Sequence, residues 1–242
     1  MKKLLILSIA LNGYQWLYHK HLASHRRYAD KIDADYLLVD QPSFVGLGSE
    51  CCWLKIHLIQ AALRAGYKHV LFLDADAMVH AHTPDILADP ANDYPLLMAR
   101  GRTQRWNSGV ILVKNCQATL DFIDFVLAHK NDPIAEQHSV GWGENGHIIA
   151  ADAQLRLTRA LSLKWNNTYD QHCADYIRHF CAGSLRTSSV SNFIHKVVHW
   201  MTAKMAKYNS EIHSIENLNG LLYSVIRRYP QFFTAKQSYY EQ

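Results

Sequence analysis

Cysteine, glycine, proline and long apolar runs are all scarce in these 242 residues, and each scarcity excludes a class of protein. Five cysteines (Cys51, Cys52, Cys116, Cys173 and Cys181) make an odd set with no C-x-x-C pair, so a disulfide scaffold is excluded and a reducing compartment is the simpler setting. With only 11 glycines and 6 prolines, and no internal repeat or low-complexity stretch, the chain is neither collagen-like nor a disordered linker. No apolar run reaches the ~18 residues that a membrane-crossing helix needs. The opening MKKLLILSIAL has the basic head of a signal peptide, but Asn12-Gly13 ends the run without an A-x-A cleavage site, so it reads as a first strand. Charge of one sign is scarce too. Lys and Arg total 25 against 21 Asp and Glu, and the resulting +4 is too small and too dispersed for a nucleic-acid partner. The expectation is a cytoplasmic protein.

What the chain does contain is 49% hydrophobic and 19% charged residues, enough for one full core. Short apolar runs alternate with helix-period stretches, the pattern of an α/β protein with a mostly parallel central sheet. Strands are expected at Lys3–Ala10, Tyr36–Val39, His69–Leu73, Pro95–Ala99, Ser108–Val113, Leu161–Trp165 and Tyr176–Phe180. Helices are expected over Gln15–Lys31, from Ser49 to Gly66, and over Ala118–His129, with 41–48 a loop. Ser49 is placed to cap the second helix, whose core stripe is Cys52, Ile56, Ile59 and Leu63. From Ser188 onward the pattern is helical and basic, which divides the chain into a domain over 1–187 and an appendage over 188–242.

The His69–Leu73 run delivers the chain to Asp74-Ala75-Asp76. On an extended backbone alternate side chains share a side, so both carboxylates would be presented at the carboxyl end of a central strand, where open α/β sheets bind ligands. Two such carboxylates repel unless a cation lies between them, and hard oxygen donors suit Mg²⁺ or Mn²⁺ held together with a phosphate. A haloacid-dehalogenase-type phosphohydrolase also places D-x-D after an apolar strand, with the first Asp as nucleophile. That motif normally opens the domain, whereas this one begins at residue 74 with no GDxxxD downstream.

Four further motifs flank the D-x-D in order along the chain. They are Trp53-Leu54-Lys55 ahead of the D-x-D, Asn107-Ser108-Gly109-Val110, Gly143-Glu144-Asn145-Gly146, and His179-Phe180. With them the chain resembles, over about residues 1 to 186, the retaining GT-A glycosyltransferases of the glycogenin-like family and the related galactosyl/mannosyltransferase family. The resemblance implies a GT-A, Rossmann-like nucleotide-sugar transferase fold with a C-terminal helical appendage. It also implies a metal-dependent hexosyltransferase that takes a nucleotide sugar, with UDP-hexose favoured, to a glycan or lipid-linked glycan acceptor.

Carried over residue by residue, Asp74, Asp76 and His179 match the metal ligands, and mixed oxygen and imidazole ligation favours Mn²⁺ over Mg²⁺. Ala10, Asn12, Tyr14, Lys55, Ala75, Gly183 and Arg186 match positions that hold the nucleotide and its diphosphate, with Gly183 one residue later than in the family's H-F-x-G. Asn107 and Ser108 match donor-sugar contacts. Glu144 and Asn145 match the catalytic pair, standing where the family has Asp and Gln, so each functional group reaches one methylene differently. In the family the product keeps the donor's anomeric configuration. Besides the transferase, a phosphohydrolase using Asp74 and an inactive sugar-nucleotide or glycan-binding module stay open.

In the appendage, Phe193, Ile194, Val197, Val198, Met201, Met205 and Tyr208 fall on one helical face, with Lys196, Lys204 and Lys207 elsewhere. Such a face either packs on the core or rests peripherally on the inner face of an anionic membrane.

Overall fold

All six residues of the first strand, Leu4–Ile9 (β1), are buried, although alternate side chains point to opposite faces, so both faces of the sheet carrying it must be covered. The computed structural model describes residues 3–45, 47–141, 143–181, 212–214 and 218–234, together with 185, 193, 197, 200, 201 and 204. After β1 come α1 (Tyr14–Leu17), α2 (His19–Lys31), β2 (Asp35–Val39), β3 (Ser43–Val45), α3 (Glu50–Arg64), β4 (His69–Leu73) and β5 (Ala77–Val79). They are followed by β6 (Leu96–Arg100), β7 (Trp106–Lys114), α4 (Gln117–Ala128), α5 (Asn145–Leu155), β8 (Thr158–Ala160) and β9 (Ile177–His179). Further on lie β10 (Ile212–Ser214), α6 (Leu218–Arg228) and α7 (Pro230–Phe233).

The central sheet has the order β2-β1-β4-β7-β6-β8. All its pairings are parallel except those of β7 with β4 and β6, so the sheet is mostly parallel with one reversed strand. Alternation along the strands divides the core in two. Leu5, Leu7, Val70, Phe72, Met98 and Ile111 pack with α3, α4 and α5 on one face. Leu4, Ile6, Leu71, Leu73, Leu97 and Leu112 meet Tyr28 and Ala29 of α2 on the other.

Several local expectations are corrected. The helix over Gln15–Lys31 breaks at Tyr18, which leaves helical dihedrals (φ −105°, ψ 22°) and buries its ring with Ala10 and Ala75. Ser49 does not cap α3, because its own backbone is helical and its hydroxyl cannot turn back to the first amides; Glu50 Oε2 accepts from Gly48 N–H instead, at 2.8 Å. Of the α3 stripe, Ile56, Ile59 and Leu63 are buried, while Cys52 at the first turn is half-buried. Gly66 (φ +94°) ends that helix as expected, with Tyr67 N–H donating to Ala62 O at 3.3 Å. The strand expected over Leu161–Trp165 is a 3-10 turn at Leu163–Trp165, and sheet pairing falls just upstream in β8. Leu161 and Trp165 are both buried, a spacing of four that suits one face of a strand and one face of a helical turn alike, so the burial pattern alone does not separate the two. Within the expected loop over 41–48, β3 pairs with β10, a partner from the far end of the chain.

The C-terminal segment is partly integrated with the rest. Leu221, Val225 and Phe233 join the larger core, and Tyr229 Oη donates to Asp40 Oδ1 at 2.9 Å. By contrast Phe193, Val197, Trp200 and Met201 occupy exposed helical positions. Ile194, Lys196, Val198, Met205, Lys207 and Tyr208 lie outside the described residues. Among the described residues no helix is long and apolar enough to cross a membrane.

His25, fully buried on α2, ties β1 to β5. Its Nε2 is 2.7 Å from Ala77 O, and its Nδ1 is 2.9 Å from Ser8 Oγ. A carbonyl only accepts, so Nε2 carries the hydrogen and Nδ1 accepts from the serine; the ring is neutral. Burial pushes its pKa down to about 4, chiefly by desolvating the charged form. The ordinary value near 6.5 lies above the folded one, so this site's stability is present above pH 6.5 and is lost as the pH falls toward 4. The loss should reach about 3 kcal/mol, read as the difference in urea midpoints between wild type and His25→Gln, which keeps a donor and an acceptor but does not titrate. A wild-type and variant pair with parallel pH profiles would refute this role.

Candidate active site

Strands β1, β4 and β6 end, and the reversed β7 begins, at one edge of the sheet. That edge gathers the residues singled out in the sequence. Asp74-Ala75-Asp76 does not continue β4 as an extended strand. It forms a tight turn, closed by Ala77 N–H to Asp74 O at 3.0 Å, which redirects the chain into β5. The turn still presents both carboxylates together. β5 then pairs antiparallel with β9, Ala77 opposite His179, and this two-stranded ladder carries the histidine to the aspartates.

His179 Nε2 lies 3.1 Å from Asp76 Oδ1 and 3.6 Å from Asp74 Oδ2. One ligand atom from each of the three falls within 4.8 Å of the others, the only such grouping of His, Cys, Asp and Glu among the described residues. Burial works against a charged His179 ring, yet Asp76 and Asp74 together raise its pKa. Loss of surrounding water raises that of Asp74, against the pull of Lys55 and His179. Two acids crowded around one imidazole form a donor set short of positive charge, and its oxygen-rich composition fits a divalent ion.

The approach is so close that β7 has a glycine there. A Cβ at Gly109 would lie 2.0 Å from His179 Cε1 and 2.6 Å from Asp74 Oδ2. The register between β6 and β7 also jumps here, from Met98 opposite Ile111 to Ala99 opposite Asn107. Residues 108 to 110 therefore bulge from that ladder, while Gly109 O accepts from Asp74 N–H at 2.8 Å.

Beside this cluster is a buried polar network. Lys55 Nζ forms an ion pair with Glu144 Oε1 and hydrogen bonds of 3.2 Å with Ser108 O and Oγ, and it sits 4.8 Å from the centre of the Phe72 ring. Burial would lower the Lys55 pKa, but Glu144 and Asp74 outweigh it and raise the pKa, so the ammonium is retained. Ser108 Oγ donates to Glu144 Oε1 at 2.6 Å. Asn145 opens α5 with both amide groups engaged by β7: its Oδ1 accepts from Ser108 N–H and its Nδ2 donates to Trp106 O, both at 3.0 Å. The structure thus unites Lys55, Ser108, Glu144 and Asn145.

Past the end of β1, Ala10 is buried with Ala75, Asn12 takes a left-handed conformation (φ +54°), and Tyr14 is exposed. Asn107 Oδ1 accepts from Gly109 N–H at 3.0 Å, so this side chain braces the β7 bulge. Gly183 and Arg186 lie outside the described residues. Two residues were missed in the sequence. Gly109 lies inside a quoted motif, but its steric role depends on how closely His179 approaches. Asn166, buried and hydrogen-bonded to His179, follows Trp165 in a stretch that carries no periodic or motif signal.

A family model for nucleotide-diphospho-sugar transferases matches residues 1–204. No curated protein sequence matches the chain. Among solved structures, a glycosyltransferase involved in glycosylation of the major capsid of PBCV-1 superposes with a TM-score of 0.58 at 14% identity, covering 85% of this chain and 98% of that one. Apo GlyE from Streptococcus pneumoniae TIGR4 gives 0.54 at 12% identity, over 95% of this chain and 64% of that one. The galactosyltransferase LgtC, solved with donor and acceptor sugar analogues, gives 0.51 at 9% identity, over 83% and 95%. At such identities the likeness shows the fold, which is GT-A.

Proposed function

The chain belongs to the nucleotide-diphospho-sugar transferase family, and we propose that it is a retaining, metal-dependent hexosyltransferase. In this reading it uses a UDP-hexose donor, a glycan or lipid-linked glycan acceptor and Mn²⁺, for which Mg²⁺ can substitute. The observation that carries the reading is the convergence of Asp74, Asp76 and His179 at the strand-end edge, beside the Ser108, Glu144 and Asn145 network. When bound, the ion supplies Lewis-acid neutralisation of the leaving nucleoside diphosphate.

The chain's own residues do the rest. Ala10, Asn12, Tyr14 and Ala75 line the nucleotide end, with Gly183 and Arg186 assigned to the diphosphate. Asn107 and Ser108 face the sugar, and Asn145, held by two hydrogen bonds to β7, stands beside the anomeric carbon. Lys55 holds Glu144 in place through their ion pair. In front-face attack the acceptor oxygen bonds to the anomeric carbon as the carbon–phosphate oxygen bond breaks, and the departing phosphate oxygen takes the acceptor's proton. Glu144, tied to both Lys55 and Ser108, orients the site in that scheme rather than forming a covalent intermediate. The phosphohydrolase reading is not favoured by the family or by the imidazole beside the two aspartates.

The decisive test is proton NMR of the new glycosidic bond made from an α-linked nucleotide sugar. An α-linked product is expected, and a β-linked one would place the enzyme among inverting transferases. Donor identity is read by thermal shift. A cognate nucleotide sugar at about 100 times its Kd should raise the Tm by about 5–10 °C with Mn²⁺ and far less in EDTA.

We also assign the exposed helical face of Phe193, Val197, Trp200 and Met201 to peripheral contact with an anionic membrane on the cytoplasmic side. From Arg186 to Ser210 the chain has no acid, and Lys204 Nζ lies 4.1 Å from the Trp200 ring centre. Truncation would strip Leu221 and Val225 from the core, so the test is Trp200→Glu. Cosedimentation of the full chain with anionic liposomes should fall about tenfold, with donor hydrolysis unchanged. Absence of liposome binding by the wild type would reject the assignment.

A further inference from the structure

Whether His179 can serve a metal depends on which ring nitrogen carries its hydrogen, and the hydrogen bonds around it decide this through a chain that begins at a group of fixed identity. Gly109 N–H is a backbone donor and lies 3.0 Å from the Asn107 side chain, so the Asn107 atom facing it is the oxygen. The same oxygen lies 3.0 Å from one terminal atom of Asn166, and that atom is also 3.1 Å from Asn107 O. Facing two acceptors, it is the amide nitrogen, Nδ2. The other terminal atom of Asn166 is then Oδ1, which lies 2.9 Å from His179 Nδ1. An amide oxygen only accepts, so the hydrogen is on Nδ1. Nε2, 3.1 Å from Asp76 Oδ1 and 3.6 Å from Asp74 Oδ2, is the nitrogen offered to a proton or a cation. Asn166 and His179 are each 1% exposed, so water does not compete for the bond between them.

We propose that Asn166 is a positioning residue that holds His179 in the Nδ1–H form and so aims the Nε2 lone pair at the Asp74–Asp76 pair. The proposal rests on the metal-dependent reading above. A ligating imidazole whose other nitrogen donates to a fixed acceptor is oriented and made more basic, and losing such an acceptor usually costs about 10–100-fold in metal affinity. Of the two ends of this side chain, Oδ1 sets the ring, while Nδ2 ties the side chain to Asn107 of β7.

The first test needs no catalysis and no metal. Histidine-selective ¹⁵N NMR of the metal-free protein at alkaline pH, with His179→Gln identifying the resonance, should show Nδ1 protonated and Nε2 bare. Asn166→Leu should move the ring toward the Nε2–H form and weaken Mn²⁺ binding, read by electron paramagnetic resonance, by about 10–100-fold. Asn166→Asp loses the bonds to Asn107 but still offers Nδ1–H an acceptor, and should bind Mn²⁺ within about threefold of wild type. A purely structural brace would make Asp as damaging as Leu, and that result would overturn the proposal. So would an Nε2–H ring in the wild type, or wild-type Mn²⁺ affinity in the Leu variant. If Asn166→Leu does not fold, the wild-type tautomer and the Asp variant decide. A wild type with Nδ1–H but no Mn²⁺ binding would instead refute the metal reading while leaving the tautomer assignment intact.

Discussion

Asp76→Asn should lower sugar transfer and donor hydrolysis about a thousandfold while the protein stays folded. A metal acting as Lewis acid contributes several kcal/mol of charge stabilisation as the diphosphate departs, and each ~1.4 kcal/mol is a factor of ten in rate. The substitution keeps the size of the side chain and removes the charge that faces His179 Nε2 at 3.1 Å. It also removes a like charge beside Asp74. The metal-free variant should therefore melt within about 3 °C of wild type, and the stabilisation that Mn²⁺ gives the wild type should disappear. Turnover is measured with a nucleotide sugar over a Mn²⁺ titration, with EDTA as the zero. A folded variant that kept wild-type turnover in EDTA would refute the metal mechanism, and phosphate trapped covalently on Asp74 would establish the phosphohydrolase.

Gly109→Ala is the second large effect, and it reaches the same site by shape rather than charge. The added methyl would have to share space with the His179 ring, 2.0 Å away, and with the Asp74 carboxylate, 2.6 Å away. Neither neighbour is the loose end of a flexible side chain. His179 is held by Asn166 and by the β5–β9 ladder, and the Asp74 backbone is tied to Gly109 O. Overpacking of this kind typically costs about 1–3 kcal/mol of stability, visible as a lower urea midpoint. Displacing two ligands at once should lower Mn²⁺ affinity at least about a hundredfold and reduce turnover about as much as Asp76→Asn. Wild-type Mn²⁺ affinity in Gly109→Ala would mean that the three ligands do not converge as described.

The sheet was readable in advance because its signal is local. Uninterrupted burial on both faces requires apolar runs, and Leu4–Ile9 and His69–Leu73 stand out without any knowledge of their partners. The carboxylate pair was readable because it directly follows such a run, although the extended backbone expected there is a tight turn that brings Asp74 and Asp76 together by another route. His179 was singled out through a motif, and its approach to the two aspartates had no local basis until β5 paired with β9.

Other features depend on contacts between distant parts of the chain, which leave no periodic trace. The β3–β10 pairing joins segments from opposite ends of the sequence, and short strands of three residues carry too little pattern to announce themselves. The ion pair of Lys55 with Glu144 forms only because α3 and the start of α5 meet over the same stretch of β7. Composition and pattern sufficed for the fold class and for where charge collects. The requirement for glycine at 109, the amide that sets the ring of His179 and the partner of each buried charge followed from packing, because close approach and hydrogen-bond direction are properties of pairs of residues rather than of any one of them.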